Sequence, residues 1–545
     1  MKKNIRIIII AATIFSGLAA VTITNNDKLF EISKNLEIFI SVYKELNTNF
    51  VDELDPGTMM RRAIDAMTNS LDPYTNFVSE SEIESYWIND DDKYQGIGAR
   101  VGIIENNFTI IEPYEGGPAF SSGIKAGDQI IAIDGISIVS KKLDEIHAIL
   151  RGLPGTNLNL RIIPNGKTTS TDIKLTRGEV NIPNVPYSGF VSDDVGYISL
   201  TTFTQNAGAN IAKALRELKE KNPNMSGVIL DLRHNGGGLL HEAVNICGIF
   251  LPQGEIVVTT KGKIKERDQT YKTMAPPVDL EIPLAVLIDK RSASASEIVS
   301  GVIQDMDRGV LIGQRSFGKG LVQNTKELPY NARLKLTISK YYIPSGRCIQ
   351  GVEYENGEPK DIPDNLRSKF KTKNGRLVLD GGGVSPDVKT EGKILFPVTK
   401  ALIDQYMIFE FANEYCKGKD SIDKVGTFSF KDFQVFTDFI KKKGFKYEIP
   451  AEKYLSDAKN ELEKSASKDI IDEIQRVQSK ITALKNSELV KAKEQIIDEI
   501  EKEIITRYYY QKGKVQQTLD DDTEIKEAIS VLRDSNRYKT LLSSK

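Results

Sequence analysis

Residues 228–249 read VILDLRHNGGGLLHEAVNICGI, and this stretch decides the fold. The apolar run Val228–Leu232 predicts a buried strand, three glycines turn the chain, and Leu239–Ile249 has helical spacing. Short apolar runs that alternate with helical stretches predict a mostly parallel α/β core. The same alternation recurs between residues 181 and 395, with apolar runs at Leu284–Ile288 and Val310–Gly313 and helical patterns at Asn210–Lys221 and Ser296–Asp305.

Regions of different character flank this core. Residues 28–90 carry apolar residues at helical spacing, and residues 94–177 contain short strand patterns and glycines typical of a small β-rich domain. Residues 351–380 are polar and predict an exposed excursion. The chain is helical again from Phe396. An apolar stripe there either packs on its own domain or meets a partner in an oligomer; its members are Ile470, Ile474, Val477, Ile481 and Leu484.

The composition excludes several classes of protein. Of 545 residues, 73 are Lys or Arg and 75 are Asp or Glu, so the net charge of −2 argues against a nucleic-acid-coating protein. Three cysteines cannot form a disulfide framework, and three histidines leave little material for a metal site. We therefore expect neither a metal nor another cofactor.

The first residues predict the compartment. Lys2, Lys3 and Arg6 precede an apolar run from Ile7 to Ala20 that ends in small residues. A basic segment followed by such a run is typical of a secretory signal, although an uncleaved anchor stays open as the alternative. The interpretation is an exported protein, either periplasmic or anchored to the membrane and facing the periplasm.

Three segments of the α/β region carry candidate chemistry. In the first, Asp231–Gly238, a strand enters three glycines before a helix, so free backbone N–H groups could hold an oxyanion. A plain tight turn or a phosphate cradle would have the same pattern. The second segment, Ser292–Ile298, places small residues around a hydroxyl at a strand-to-helix turn. Its alternative is an N-cap in which Glu297 completes a capping box.

The third segment, Ser316–Gln323, holds Lys319 between two glycines and apolar neighbours. Burial lowers the pKa of a lysine because the charged form loses hydration, and a neutral lysine can act as a general base. A glycine-rich hairpin with an exposed lysine is the alternative.

Taken together, these segments resemble the carboxyl-terminal processing proteases, also called tail-specific proteases, which are serine–lysine peptidases with a PDZ domain. Ser294 and Lys319 are 25 residues apart, and Gln323 follows four residues later. Further motifs match in the same order, at Leu71–Thr75, Tyr94–Gly98, Gly117–Asp128, Tyr342–Gly346 and Gly381–Asp387.

The resemblance implies roles for individual residues. Ser294 would be the nucleophile, Lys319 would deprotonate it, and Gln323 would orient Lys319 by accepting a hydrogen bond. Gly237 and Ala295 would lend backbone N–H groups to the oxyanion. Many members have Asn-Pro-Gly-Gly where this chain has Asn235-Gly236-Gly237-Gly238, so a neighbour of Gly237 stays open as the donor.

The sequence patterns and the resemblance together predict a multidomain fold. The residue patterns predict a signal peptide or anchor over residues 1–22, a helical region over 23–90 and a C-terminal helical region over 396–545, and the resemblance implies an inserted-type PDZ β-domain over 91–178 and a crotonase-like α/β protease core over 179–395. A peptide would add as a strand beside Tyr94–Ala99, with its carboxylate on the N–H groups of Gly96, Ile97 and Gly98. The expected partners are proteins or peptides with free C-termini. Homo-oligomerisation through the helical regions is a further expectation.

Three other functions could use parts of the same sequence. A Ser–His–Asp hydrolase would have to use His147, His234 or His241, and the sequence has no G-x-S-x-G elbow. A metal site from His234, His241 and Glu242 lacks a known ligand spacing. The more serious rival is a latent or non-catalytic PDZ scaffold that binds protein C-termini, against which the Ser294 and Lys319 pair argues.

Overall fold

The computed structural model describes residues 28–80, 94–139, 141–180, 182–355, 358–463 and 468–543. The predicted signal or anchor over residues 1–22 lies outside the described residues. The N-terminal region contains helix α1 over residues 28–49, helix α2 (Pro56–Asn69) and strand β1 (Asn76–Val78). The strand stands where the sequence predicted helix. It forms by antiparallel pairing with residues 333–335, and Asp72 turns the chain just before it by accepting hydrogen bonds from the N–H groups of Tyr74 and Thr75.

The β-rich domain follows. Its elements are β2 (Tyr94–Gly96), β3 (Ala99–Ile104), β4 (Asn107–Pro113), α3 (Pro118–Ser121), β5 (Gln129–Ile133), β6 (Ile136–Ser137), α4 (Leu143–Leu150), β7 (Asn157–Ile163), β8 (Thr171–Thr176) and β9 (Gly178–Val180). The sheet order is β3-β4-β5-β7-β8, with β6 on β5, so β3 is an edge strand. Strands β2 and β9 pair with each other where the domain begins and ends.

The core of the protein contains two sheets. Its elements are β10 (Tyr187–Phe190), β11 (Val195–Ser199), α5 (Ala207–Lys221), β12 (Gly227–Asp231), α6 (Leu240–Phe250), β13 (Ile256–Gly262), β14 (Gln269–Lys272), β15 (Leu284–Ile288), α7 (Ala295–Asp305), β16 (Val310–Gly313), β17 (Leu321–Glu327), β18 (Arg333–Tyr342), β19 (Val352–Glu355), β20 (Glu358–Asp361), β21 (Lys369–Lys371), β22 (Leu377–Leu379) and β23 (Val388–Lys389).

The first sheet has the order β10-β11-β12-β15-β16-β23 and is parallel except for β10. Its central strands are completely buried, which explains their continuous apolar sequences. The second sheet runs β1-β18-β13-β14, with β17 on β18. The predicted excursion over residues 351–380 instead forms two hairpins, β19–β20 and β21–β22, and Arg367 between them is buried.

Helices make up the C-terminal region. They are α8 (Pro397–Asp404), α9 (Met407–Cys416), α10 (Phe433–Lys442), α11 (Pro450–Glu463), α12 (Lys468–Lys491), α13 (Lys493–Thr518), α14 (Thr523–Arg533) and α15 (Ser535–Leu541). In the predicted stripe on α12, Ile474 and Ile481 are half-buried whereas Ile470, Val477 and Leu484 are exposed, so both interpretations stay open. Among the helices of the described ranges, none has the length and apolar character needed to cross a membrane.

The C-terminal helical region contacts both the β-rich domain and the parallel sheet of the core. Phe409 packs with Ile104 and Ile111 of the β-rich domain, and the Tyr510 ring of α13 meets the Phe120 ring edge-on at 5.5 Å. Helix α14 then buries Ile525, Ala528, Val531 and Leu532 against the parallel sheet. The predicted fold class, an α/β core with a small β-domain and helical N- and C-terminal regions, is confirmed, and the exact domain boundaries stay a prediction.

Candidate active site

Two loops meet at the carboxyl edge of the parallel sheet. Strands β12 and β15 are neighbours, so the chains that leave them, residues 232–239 and 289–294, lie side by side. The Ala293 N–H donates to the Asn235 carbonyl at 3.0 Å, and the Ser292 hydroxyl donates to the Leu232 carbonyl at 2.8 Å. Asp289 adds a link by accepting from the His234 N–H at 2.9 Å and the Ser292 N–H at 3.0 Å. These bonds hold the glycine segment against the serine segment.

Ser294 differs from the other serines of its segment. Ser292 and Ser296 are fully buried and their hydroxyls donate to backbone carbonyls, whereas Ser294 is half-buried. It stands at the N-cap of α7 with φ 55° and ψ −113°. A side-chain-bearing residue at such angles costs on the order of 1–3 kcal/mol, and the surroundings must hold it there. Ser294 is therefore the accessible hydroxyl on a strained turn.

The glycine segment touches this turn. A Cβ added to Gly237, whose φ is 104°, would lie 2.9 Å from the Ser294 Cβ and 3.0 Å from the Ala295 nitrogen. The Gly237 N–H donates to the Asn235 Oδ1 at 2.9 Å. The Ala295 N–H makes no hydrogen bond to any residue that the structure describes. Of the two predicted oxyanion donors, the Ala295 N–H is therefore without an acceptor among the described residues, and the Gly237 N–H is bound to the Asn235 side chain.

Lys319 lies on the loop before β17. Its flanking glycines are required by the neighbouring chain, because a Cβ on Gly318 would lie 2.7 Å from the Gly351 Cα and one on Gly320 would lie 2.6 Å from the Gln350 nitrogen. The half-buried amine lies 4.5 Å from the centre of the Tyr74 ring, in a cation–π arrangement. Burial lowers the pKa of Lys319, and the nearby Lys335 lowers it further.

Glu297 connects the serine and lysine loops. Its side chain is completely buried, and its Oε2 accepts from the backbone N–H groups of Ser294 at 2.9 Å and Lys319 at 2.8 Å. Its Oε1 accepts from the Gly318 N–H at 2.6 Å and from the Ser316 hydroxyl. Burial raises the pKa of Glu297 to about 7, even though these hydrogen bonds act in the opposite direction. The sequence showed this residue only as a capping-box partner of Ser294.

Tyr341 makes a second connection between the two loops. Its hydroxyl lies 3.2 Å from the Ser294 carbonyl oxygen and also contacts the Lys319 carbonyl oxygen. Tyr341 carries no local sequence signal of such a role, since it is an ordinary strand residue of β18. Tyr74 was noted only as part of a matching motif, and its position over Lys319 depends on the pairing of β1 with β18.

Gln323 lies on β17 and faces the next strand. Its side-chain amide donates to the Thr337 hydroxyl at 3.1 Å. Among the described residues, no hydrogen bond joins the Lys319 amine to either Ser294 or Gln323. The backbone segments of the predicted catalytic residues are thus brought together, while their side chains are not joined.

The histidines of the rival hydrolase lie elsewhere. The His234 Nδ1 is 2.5 Å from Asp289 and the imidazole is mostly exposed, as is that of His241 beside Glu242. Within the described part of the chain, neither forms a hydrogen bond with Ser294. The geometry gives no support to a Ser–His–Asp site.

The predicted carboxylate-binding segment is partly occupied by the chain itself. The Ile97 N–H donates to the Leu150 carbonyl at 3.2 Å, and Gly96 pairs with Gly178. The Gly98 N–H has no acceptor among the described residues, and its φ of 71° suits only glycine. Beside it, edge strand β3 faces helix α4, and the His147 Nε2 lies 3.4 Å from the Val101 carbonyl oxygen.

Comparisons with known proteins identify these parts. Residues 194–356 match Peptidase family S41, residues 95–175 match a PDZ domain, and residues 398–532 match the description "Probable PDZ-protease, C-terminal helical domain". The chain is 35% identical over 331 residues to the Carboxy-terminal-processing protease of Bartonella bacilliformis, covering 60% of this chain and 75% of that protein.

Two further relatives extend the comparison. The Carboxy-terminal processing protease CtpB of Bacillus subtilis is 26% identical over 434 residues, which are 76% of this chain and 86% of that protein. Among solved structures, the photosystem II D1 C-terminal processing protease is 23% identical, with a TM-score of 0.36 over 65% of this chain and 92% of that one. From the family matches and the 35% identity, the chain belongs to the carboxy-terminal processing proteases, serine proteases of peptidase family S41 that contain a PDZ domain.

Proposed function

We propose that this protein is a serine endopeptidase that recognises the C-terminal tails of protein substrates through its PDZ domain and cleaves them with Ser294 and Lys319. The observation that carries the proposal is the position of Ser294. It is the accessible serine of its segment, it stands on a strained turn, and Glu297 and Tyr341 hold that turn to the loop of Lys319.

The proposed chemistry uses Lys319 in its neutral form. Its amine takes the proton of the Ser294 hydroxyl while the Ser294 oxygen attacks the scissile carbonyl carbon. The N–H groups of Ala295 and Gly237 stabilise the resulting oxyanion. The Lys319 ammonium then protonates the leaving amine, and a water molecule, activated by the same lysine, hydrolyses the acyl-enzyme.

Substrate binding must rearrange two side chains. The Lys319 amine has to leave the Tyr74 ring and reach the Ser294 hydroxyl. The side-chain Oε1 of Gln323 would then accept a hydrogen bond from the amine. The Asn235 side chain has to release the Gly237 N–H, or Ala295 acts with a neighbouring glycine. The resting positions of Lys319 and Asn235 favour a gated enzyme, in which a bound tail shifts the equilibrium towards the aligned site.

Tail recognition is proposed for the groove between β3 and α4. An extended peptide can pair with an edge strand, and β3 lies at the edge of its sheet. The Gly98 N–H is the available donor for the terminal carboxylate, and Ile97 can contribute after giving up the Leu150 carbonyl. His147 lies in the path of such a peptide and would have to leave the Val101 carbonyl.

Export and self-association belong to the same proposal. Lys2, Lys3 and Arg6 before an apolar run support a signal peptide or anchor, and hence a periplasmic or membrane-anchored enzyme. Helix α1 supports a homo-oligomer, because its apolar side chains are exposed in the single chain. They include Leu29, Phe30, Ile32, Leu36, Ile38 and Ile40.

The test is cleavage of a protein pool whose products are mapped by mass spectrometry. Ser294→Ala and Lys319→Ala should each abolish the new termini, and the double variant should be no worse than either single, because the two residues act in one step. Gln323→Ala should lose less cleavage activity than either of these single variants. Persistent cleavage by Ser294→Ala would refute the assignment. A wild-type protein that binds free C-termini and cuts nothing would favour the latent scaffold.

A further inference from the structure

A cluster of charges joins the C-terminal helices to the core beside the candidate site. Arg233 donates from Nε and Nη2 to Asp231, at 3.0 and 2.6 Å, and from Nη1 to Asp522 and Glu524, both at 2.7 Å. The exposed fractions of the four side chains are 15% for Arg233, 8% for Asp231, 18% for Asp522 and 7% for Glu524. Asp522 is the N-cap of α14, so the contact comes from the start of that helix.

The guanidinium is fixed on two sides. Asp231 at the end of β12 holds one edge, and the two carboxylates of the helix hold the other. A planar guanidinium with bidentate and opposed partners has one orientation, because its donors form a rigid fork. The position of Arg233 therefore depends on both the core strand and helix α14.

Arg233 begins the loop that carries the oxyanion donors. The next residue, His234, has a φ of 60°, and its N–H is bound by Asp289. Asn235 follows, with a carbonyl that accepts from Ala293 and a side chain that accepts from the Gly237 N–H. Only three residues thus separate Arg233 from Gly237, and a displacement of Arg233 shifts the anchor of this short, tightly bonded loop.

The number of carboxylates argues for positioning over simple stabilisation. Three carboxylates bind the guanidinium of Arg233 in a mostly buried cluster, whereas a single carboxylate would be enough to neutralise its charge. Partly buried ion pairs give little net stability because desolvation offsets the attraction, but they do fix geometry. Glu524 is itself oriented, because its Oε1 accepts from the Thr390 hydroxyl.

We propose that Asp522 and Glu524 of the C-terminal helical region are positioning residues for proteolysis, which act through Arg233 to set the geometry of the oxyanion loop 234–237. The inference rests on the proposed function, since it assigns that loop to the oxyanion. It gives helix α14 a part in the reaction although the helix follows the last core strand, β23, by more than 130 residues.

The test compares two ends of the same helix in the full-length protein. Asp522→Ser with Glu524→Ala removes both contacts to Arg233 while serine still caps the helix. Arg533→Gln is the matched control, because it removes an ion pair between the far end of α14 and Asp194 of the core, at 3.0 Å. A fluorogenic peptide with a free C-terminus reports kcat and KM, and a peptide boronic acid with the residues that precede the cleaved bond reports affinity for a tetrahedral adduct.

The double variant should lose about tenfold in kcat with KM nearly unchanged, less than the roughly 100- to 1,000-fold loss that follows removal of a whole oxyanion donor. Its affinity for the boronic acid should fall by the same factor. The Arg533→Gln variant should keep kcat and boronic acid affinity within about twofold of wild type, as expected for an exposed pair.

Equal losses in the double variant and in Arg533→Gln, or unchanged kcat and inhibitor affinity in the double variant, would overturn the inference. If the double variant does not fold, Asp522→Asn with Glu524→Gln keeps the side-chain shapes and is judged by the same two readouts, with a smaller loss expected. The proposed function fails separately, through retained cleavage by Ser294→Ala. An inactive Ser294→Ala beside a fully active double variant would refute this inference alone.

Discussion

Replacement of Glu297 by glutamine should change how the stability of the protein depends on pH. Glu297 is completely buried, and its pKa is about 7 in the folded protein against an ordinary value of 4.5. Between these values the folded state binds more protons than the unfolded state, so stability falls as the pH rises. The difference corresponds to about 3 kcal/mol, which is present below pH 4.5 and lost by about pH 8.

Glutamine, like the protonated carboxyl group, is neutral at every pH. Its amide oxygen can still accept from the N–H groups of Ser294 and Lys319, and its NH₂ can donate to the Ser316 hydroxyl. The variant therefore lacks the destabilising charge above pH 7. The glutamine NH₂ group cannot accept from the Gly318 N–H, which adds a cost of about 1–3 kcal/mol that does not depend on pH. We expect the stability of Glu297→Gln relative to the parent protein to increase by about 2–3 kcal/mol between pH 5 and pH 8, whatever the constant offset between the two proteins.

The measurement is urea unfolding followed by far-UV circular dichroism at pH 5, 6, 7 and 8. A Ser294→Ala background prevents self-cleavage, and equal m-values at each pH show that the same transition is compared. Glu266→Gln, at an exposed position, serves as control. The difference in free energy of unfolding between this variant and the parent protein should be the same at every pH. If the difference in free energy of unfolding between Glu297→Gln and the parent protein were also the same at every pH, Glu297 would not be a desolvated carboxyl group between the two loops.

Three further predictions concern the reaction, the glycine loop and the PDZ domain. Because burial lowers the pKa of Lys319, kcat/KM should rise with pH through an apparent pKa below the ordinary 10.5, and a flat profile would remove the lysine base. Gly236 has a negative φ and open space around its missing side chain, so Gly236→Ala should raise the free energy of unfolding by about 0.4–1 kcal/mol, and a loss in urea unfolding would contradict this. Amidation of a substrate's C-terminus should raise KM, and deletion of residues 94–177 should leave or raise activity on short peptides if the PDZ domain is a gate. A loss on tailed proteins with no gain on peptides would instead support delivery.

The sequence alone determined the α/β core because its buried strands have continuous apolar sequences. Leu284–Ile288 and Val310–Gly313 were predicted with the bounds that the structure has. The first residues of helices α5, α6 and α7 were predicted to within three positions, since helical periodicity and turn glycines are local signals. Residues 76–78 were predicted as helix and form a strand, because their conformation depends on pairing with distant β18.

The segments of Ser294, Lys319 and Gly237 were likewise visible as local motifs, since each combines a turn with a characteristic residue. Only the tertiary structure decided how they relate: Glu297 is buried between two loops, Tyr74 covers the Lys319 amine, and Asn235 occupies the Gly237 N–H. The contact of Arg233 with Asp522 and Glu524 joins residues almost 300 positions apart. Local motifs follow from the backbone preferences of a few neighbouring residues, whereas burial, charge pairing and the resting position of a side chain depend on which distant segments pack around it.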